Sequence, residues 1–231
     1  GRLLYKRLMP EGPGEGASGG SAKRAAKKET RHDFVEGESY APAPESTDHL
    51  SLKSSYDLFI GGKWVRAPKK FQTINPATEE VLGPVADGSP ADMARAVDAA
   101  RRAFETTGWA SDTEARKACL DQLQAAIESE QEDLRQELIA EVGTPALITY
   151  GPQLDAPLRE ALRWPRDMID EFEWTRSLGP KDAMGVGYQT EREVWKEPVG
   201  VVGVIVPWNF PIEIILNKLG PLLAMGNTCV L

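Results

Sequence analysis

Cysteine and histidine are scarce in this sequence of 231 residues, which holds two of each. Both histidines, His32 and His49, lie in or beside a low-complexity N-terminal segment. No spacing typical of a metal site or a catalytic triad is therefore present, and no bound metal is expected. Cys119 and Cys229 fall in apolar stretches, which favours free buried thiols in a reducing compartment such as the cytoplasm.

Long apolar runs and an excess of basic residues are also missing. The sequence has no stretch of about 18 apolar residues, the length that a membrane helix needs, and no signal-peptide pattern. Its formal net charge is −8, whereas a surface that binds nucleic acid is basic. We therefore expect neither a membrane nor a nucleic acid as a partner. The 41% of hydrophobic residues is enough to bury a core.

Residues 1–50 mix Gly, Pro, Ser, Glu and Lys, without hydrophobic periodicity after Leu8. Such a composition cannot bury enough apolar surface to offset the entropy lost on ordering. We expect a disordered, solvated tail that is most mobile over residues 18–47. A docking arm for an anionic surface is the alternative, because basic side chains cluster at Lys23, Arg24, Lys27, Lys28 and Arg31.

From residue 51 onward, the sequence carries strand and helix signals. Short apolar and β-branched runs predict strands at residues 58–60, 64–65, 71–74 and 80–85, the first two joined as a hairpin through Gly61 and Gly62. Ser89, with Asp92 three residues later, predicts the start of one helix. A capping box over residues 111–114 predicts the start of the next.

Breakers divide the helical region that follows. The acidic stretch at residues 128–133 predicts a bend, and Gly143 should end the helix beyond it. A third helical segment is predicted to begin near Asp155. Pro165, further along that segment, should kink or break it. Residues 179–198 then resemble two strands around a Gly-rich turn, and an unpaired strand edge of this kind favours a partner subunit.

The most informative stretch is residues 199–231. Its uncharged, β-branched start ends at Pro207 and predicts a strand buried on both faces. Pro211 opens a segment with apolar residues at helical spacing, which ends at Gly226 before a second β-branched run. Strand, corner, helix and strand make a βαβ unit. Ligands collect at the carboxyl ends of such strands, so chemistry is expected at the corner, residues 207–211.

The corner and its flanks carry three motifs in succession. The run PWNFP follows a GVVGVI strand, and the runs KLGP at residues 218–221 and GNT at residues 226–228 come after it. These motifs and their spacing resemble the aldehyde dehydrogenase superfamily. Further matches, IGGKW at residues 60–64 and NPAT at residues 75–78, extend the resemblance back to about Tyr56. It covers most of the chain and excludes the first fifty residues.

This resemblance implies an α/β fold: part of a doubly wound, Rossmann-like cofactor domain, with an oligomerisation hairpin at about residues 179–198. It implies NAD or NADP as the cofactor, an aldehyde as the substrate, and a homodimer or homotetramer as the complete assembly. The common G-x-G-x-x-G fingerprint is absent after the first buried strand. That absence does not argue against this family, whose own glycine motif lies beyond Leu231.

Two polar residues have a catalytic role by resemblance and an ordinary alternative. Asn209 would donate its amide to the oxyanion that forms when a thiolate adds to an aldehyde. Its position alone favours the N-cap of the following helix. Lys218 matches a lysine that recurs near the cofactor in the family, and a solvated helix charge is its alternative.

The remaining candidates line the cofactor and substrate sites by resemblance. The nicotinamide half of the cofactor would contact Ile205, Val206, Pro207, Trp208 and Asn209, whereas simple packing of a buried Trp is the alternative. The aldehyde tunnel would be lined by Phe210, Ile214 and Asn217. The last of these departs from the aromatic residue common in the family, which leaves the size and polarity of the substrate open.

The nucleophile is not found in this sequence. The family's reactive Cys and the Glu that activates the deacylating water come far downstream of PWNFP, and Cys119 and Cys229 stand where relatives have ordinary apolar residues. We therefore interpret the chain as an N-terminal portion of an NAD(P)-dependent aldehyde dehydrogenase, inactive alone, whose complete form works through a thioester. The alternatives are a relative that forms an acyl-CoA or reduces an acyl group, and a non-catalytic structural protein on the same fold.

Overall fold

The computed structural model describes residues 50, 52, 53, 55–182 and 185–231. The predicted tail, with its mobile stretch 18–47 and its basic cluster, lies outside the described residues except for Leu50. The strands are β1 (Leu58–Ile60), β2 (Lys63–Val65), β3 (Lys69–Ile74), β4 (Val81–Asp87), β5 (Thr175–Ser177), β6 (Lys181–Asp182), β7 (Gln189–Thr190), β8 (Glu193–Trp195), β9 (Val201–Gly203) and β10 (Thr228–Val230). The helices are α1 (Pro90–Thr106), α2 (Thr113–Ser129), α3 (Gln131–Val142), α4 (Ala146–Thr149), α5 (Asp155–Glu160), α6 (Arg163–Glu171) and α7 (Pro211–Ala224), with a 3₁₀ turn at Gly108–Ala110.

The antiparallel pairs follow local turn chemistry. Strands β1 and β2 form the predicted hairpin, because Gly61 and Gly62 adopt the left-handed backbone (φ 59° and 78°) that the turn needs. Strands β3 and β4 form a second antiparallel pair. The pairs β5–β8 and β6–β7 form one long, interrupted hairpin, which begins earlier in the chain than the sequence predicted.

Capping explains where the first two long helices begin. The capping box of Ser89 and Asp92 is confirmed at the start of α1, with Pro90 at its first position. The second capping box, predicted to begin at Ser111, is wrong. Helix α2 begins at Thr113, and its N-cap is Asp112, whose side chain accepts a hydrogen bond from the Ala115 backbone N–H. Asp112 is an equally good cap, so the pattern alone did not distinguish two adjacent candidates.

The predicted bend and stop are confirmed, but the break in the third helical segment is displaced. Helix α5 ends at Glu160 and α6 begins at Arg163, so Pro165 lies in the first turn of α6. Since proline has no N–H for the carbonyl four residues earlier, the Ala161 carbonyl loses its helical donor and the helix breaks there. A Cβ on Gly220 of α7 would lie 2.1 Å from that carbonyl oxygen, so α7 approaches the break at its glycine.

The core lies among the helices. A cluster of buried apolar residues joins α2, α3, α5, α6 and α7 and consists of Leu120, Leu138, Leu154, Leu158, Ala161, Leu162, Ile169, Leu216 and Ala224. Helix α7 contributes to this core on one side and follows β9 directly in the chain. The core therefore fixes the helix that begins at the candidate site.

The βαβ unit is confirmed and is closed at the carboxyl end of α7. Strands β9 and β10 pair in parallel, Thr228 opposite Val201. The Asn227 amide donates to the Leu222 carbonyl (3.3 Å) and accepts from the Gly200 backbone N–H (3.1 Å), which ties the helix end to the strand start.

The prediction that the first strand is buried on both faces is wrong. Only residues 201–203 form the strand, and Val199 and Ile205 are 84% and 88% exposed. Among the described residues β9 has one strand neighbour, β10, so its other edge carries no paired strand that could cover these side chains.

Candidate active site

The candidate site is the corner between β9 and α7, residues 204–210. Val204 is buried, whereas Ile205 and Trp208 are 88% and 78% exposed, so the alternative of a buried, packed Trp is wrong. The alternative of Asn209 as the helix cap is also wrong, because the N-cap position is Phe210 and none of the described side chains caps the helix. In the part of the chain that the structure describes, the Asn209 side-chain amide has no hydrogen-bond partner, and the residue is exposed.

The backbone of the corner is held by a residue that the sequence reasoning missed. Gln153, from the turn between α4 and α5, is 4% exposed and donates from Nε2 to the Asn209 carbonyl at 2.8 Å. Asn209 thus has a fixed carbonyl and a free side-chain amide. No signal in the sequence pointed to Gln153, because a lone amide in a turn belongs to no motif.

Two clefts flank α7, which we name by their walls. The strand cleft, of about 460 Å³, is lined by Val202, Gly203, Val204, Ile205, Asn217, Lys218, Pro221, Leu222, Met225 and Asn227. The helix cleft, of about 400 Å³, is lined by Pro152, Ala156, Pro157, Glu160, Ala161, Trp164, Pro165, Glu213, Asn217 and Pro221. The structure therefore brings Ile205, Asn217 and Lys218 together in the strand cleft, and Asn217 lines both clefts.

The other predicted site residues lie outside both clefts. Val206, Pro207, Trp208 and Asn209 form the corner itself, and the half-buried Phe210 and Ile214 lie at its junction with the first turn of α7. Asn217 is exposed, and its Nδ2 lies 3.5 Å from Glu213 Oε1.

The residues around the strand cleft fit the cofactor that the resemblance implies. Ile205 and Trp208 present apolar surface to solvent, which a planar ring can cover. Lys218 is exposed and forms no ion pair with any residue in the described part of the chain. Its ammonium group is therefore available to pair with a phosphate or to donate a hydrogen bond to a ribose hydroxyl.

The two cysteines have the surroundings of structural thiols. Both are half-buried, and burial raises the pKa of the Cys119 thiol and of the Cys229 thiol above its ordinary value. A nucleophilic cysteine requires a lowered pKa and access. Cys229 also lines a different cavity, of about 760 Å³, together with residues of α1 and of the β1–β2 hairpin.

The described residues contain neither a membrane-spanning helix nor a cluster of metal ligands. None of the helices described here is long and apolar enough to cross a bilayer. Within the same residues, no group of three or more His, Cys, Asp or Glu side chains is placed to hold a metal ion.

Comparison with known proteins gives a consistent result. The model of the aldehyde dehydrogenase family matches residues 64–231. The chain is 34% identical over 186 residues to the NADP/NAD-dependent aldehyde dehydrogenase PuuC of Escherichia coli, covering 79% of this chain and 36% of that protein. It is 36% identical over 194 residues to the human mitochondrial aldehyde dehydrogenase, covering 82% and 35%. The chain thus spans about a third of the length of the curated relatives it matches.

Solved structures agree. A Mycobacterium tuberculosis aldehyde dehydrogenase complexed with NAD+ matches with a TM-score of 0.66 and 32% identity, over 76% of this chain and 36% of that one. An indole-3-acetaldehyde dehydrogenase in its apo form matches with a TM-score of 0.69 and 32% identity, over 78% and 40%. The predicted fold class, a partial Rossmann-like α/β domain, is confirmed by these matches.

The raised thiol pKa values predict slow alkylation of both cysteines. Burial disfavours the thiolate, so each cysteine stays protonated and unreactive at neutral pH. Its rate should still be rising with pH above the ordinary thiol pKa of about 8.5, where the rate of free cysteine levels off. Iodoacetamide labelling of Cys119→Ser and Cys229→Ser variants, read by mass spectrometry, measures each rate separately. In urea both rates should rise to that of free cysteine. Labelling of either folded thiol at pH 7 faster than free cysteine would contradict this assignment.

Proposed function

Because the chain belongs to the aldehyde dehydrogenase family, we propose that the complete protein oxidises an aldehyde to a carboxylic acid with NAD+ or NADP+, through a cysteine thioester. The observation that carries the proposal is the free side-chain amide of Asn209 on an anchored backbone at the carboxyl end of β9. A purely structural protein has no need of an exposed, unpartnered amide at this corner. The geometry therefore favours catalysis over that alternative.

Asn209 acts by stabilising charge. When a thiolate adds to the aldehyde carbonyl, the oxygen gains negative charge, and the neutral N–H of Asn209 donates to it. A donor that is already oriented needs no reorganisation when the charge develops, and one such donor is worth about 3 kcal/mol of barrier. We assign the thiolate to a cysteine outside residues 1–231, since the raised pKa values of Cys119 and Cys229 do not suit a nucleophile.

The cofactor would be held beside the strand cleft. Ile205, Val206, Pro207 and Trp208 supply apolar and backbone surface, and Lys218 supplies a positive charge. NAD(P)+ supplies the hydride acceptor when it is bound. Phe210, Ile214 and Asn217 would line the approach of the aldehyde. Glu213 and Trp164 line the helix cleft together with Asn217. The proposed path of the aldehyde therefore contains the polar groups of these side chains.

The long hairpin supports a homo-oligomer, either a dimer or a tetramer. Its β5–β8 and β6–β7 pairs are two-stranded in the described residues, and so each has open edges. Val186 and Tyr188, near its tip, are 74% and 70% exposed. Open edges with exposed apolar side chains are the surface that a second subunit covers by strand pairing.

Replacing Asn209 by alanine should separate its catalytic role from a structural one. In the complete enzyme, Asn209→Ala should lower kcat/KM by about 10² to 10³, because one oxyanion donor is lost. NAD(P) affinity and unfolding temperature should change little, since the side chain has no hydrogen-bond partner among the described residues and does not occupy the N-cap of α7. Asn209→Asp, similar in size but without the donor, should be at least as damaging. Turnover within about threefold of wild type in Asn209→Ala would refute the role.

Charging the hairpin tip should disrupt the assembly. Sedimentation velocity of the complete protein should give a dimer or tetramer, and the double variant Val186→Glu/Tyr188→Glu should shift it to smaller species. The matched control is Val81→Glu, which charges another exposed valine (60%), on β4 and outside the hairpin. A monomeric wild-type protein, or an assembly equally insensitive to both variants, would rule out the hairpin as the subunit contact.

A further inference from the structure

We propose that Gln153 is a positioning residue for the reaction: it holds the Asn209 backbone so that the Asn209 amide stays aimed at the developing charge. The inference rests on the proposed role of Asn209. Its basis is the 2.8 Å hydrogen bond from Gln153 Nε2 to the Asn209 carbonyl, made by a side chain that is 4% exposed. The two residues are 56 positions apart in the chain, so the contact is tertiary.

The corner needs an external anchor. Helix α7 begins without a side-chain cap, so no local side-chain hydrogen bond at its N-cap fixes the backbone just before its first turn. Pro207 and Pro211 flank the corner and restrict their own φ angles. Neither fixes the orientation of the Asn209 peptide group, which the hydrogen bond from Gln153 does.

The orientation of the Gln153 amide is determined by chemistry. A flipped amide would place its oxygen against the Asn209 carbonyl oxygen, two acceptors facing each other, which is unfavourable. Gln153 Oε1 is buried and has no hydrogen-bond partner among the described residues. The Nε2 donor therefore remains on the Asn209 side.

The segment that carries Gln153 is held on both sides by one buried guanidinium. Arg135 is 4% exposed. It donates from Nη1 to Thr149 Oγ1 at 3.0 Å and from Nη2 to Asp155 Oδ1 at 2.7 Å. Its guanidinium also lies over the Tyr150 ring, 4.0 Å from the centroid. Thr149 and Asp155 lie on either side of Gln153 in the chain. The two hydrogen bonds from Arg135 therefore fix the segment that carries the Gln153 amide.

The chain offers a matched control. Gln124 is also buried and also donates from Nε2 to a main-chain carbonyl, that of Leu158 at 2.6 Å, with a second hydrogen bond from Nε2 to Glu128 Oε1 at 2.7 Å. Its buried Oε1, like that of Gln153, has no partner among the described residues. Its carbonyl partner lies on α5 and is not part of the corner. A change of Gln124 thus removes the same kind of buried hydrogen bond without touching Asn209.

The test compares Gln153→Met with Gln124→Met in the complete enzyme. Gln153→Met keeps the side-chain length and removes the donor, so kcat should fall about 10-fold to 10²-fold, because small misplacements of a catalytic group are costly. The KM for NAD(P) should stay within about twofold. Gln124→Met should leave kcat within about twofold, whatever its effect on stability. The double variant Gln153→Met/Asn209→Ala should turn over no more slowly than Asn209→Ala, because Gln153 acts through Asn209.

A second measurement needs no turnover. Hydrogen exchange of the amides of residues 209–214 should speed up in Gln153→Met and stay unchanged in Gln124→Met. Unchanged exchange in Gln153→Met, or losses that multiply in the double variant, overturns the positioning role. If Asn209→Ala leaves turnover intact while exchange still speeds up in Gln153→Met, the anchor stands and the oxyanion role fails. If Gln153→Met does not fold, Gln153→Asn, which retracts the amide by one methylene, should show the same pattern at smaller size.

Discussion

The fold has to hold a strand-to-helix corner in one conformation while leaving one amide of that corner free. Helix α7 starts at Pro211 without a side-chain cap among the described residues, so the Asn209 amide is not used to cap the helix. The fixed point is instead the Asn209 carbonyl, which accepts a hydrogen bond from the buried Gln153. This arrangement fixes the backbone that carries Asn209 and leaves its side-chain amide free, as the proposed role in electrostatic stabilisation requires.

The rest of the chain makes that arrangement rigid. Arg135 fixes the turn that carries Gln153. At the other end of α7, the buried Arg116 donates to the Ala224 carbonyl at 2.9 Å, and Asn227 ties the helix end to the start of β9. The helix is therefore held at both ends. Because Gly220 has no side chain, α7 can also approach the Ala161 carbonyl, which lacks a helical donor because residue 165 is proline. Buried polar groups, each with a named partner, do the positioning, while the apolar cluster supplies the bulk of the packing.

Local chemistry in the sequence was enough to predict the elements that depend on it. The Ser89 cap, the Gly61–Gly62 hairpin and the Gly143 stop follow from residues within one turn of each other. The βαβ unit follows from the order of consecutive runs over residues 199–231. Long-range contacts were not predictable. Gln153 reaches its partner only after folding, and the displaced helix break and the exposed ends of the first strand depend on which neighbours pack against them. The predicted site residues came from the PWNFP motif and the residues that flank it, whereas Gln153 came only from the structure.

The most direct test is a crystal structure of the complete enzyme with NAD(P)+ and an aldehyde trapped as its thiohemiacetal. The account predicts Asn209 Nδ2 at about 2.7 to 3.1 Å from the oxygen derived from the aldehyde, with the Gln153 hydrogen bond to the Asn209 carbonyl retained. An oxygen bound only by other donors, with the Asn209 amide turned away from it or engaged by the helix, would contradict the account.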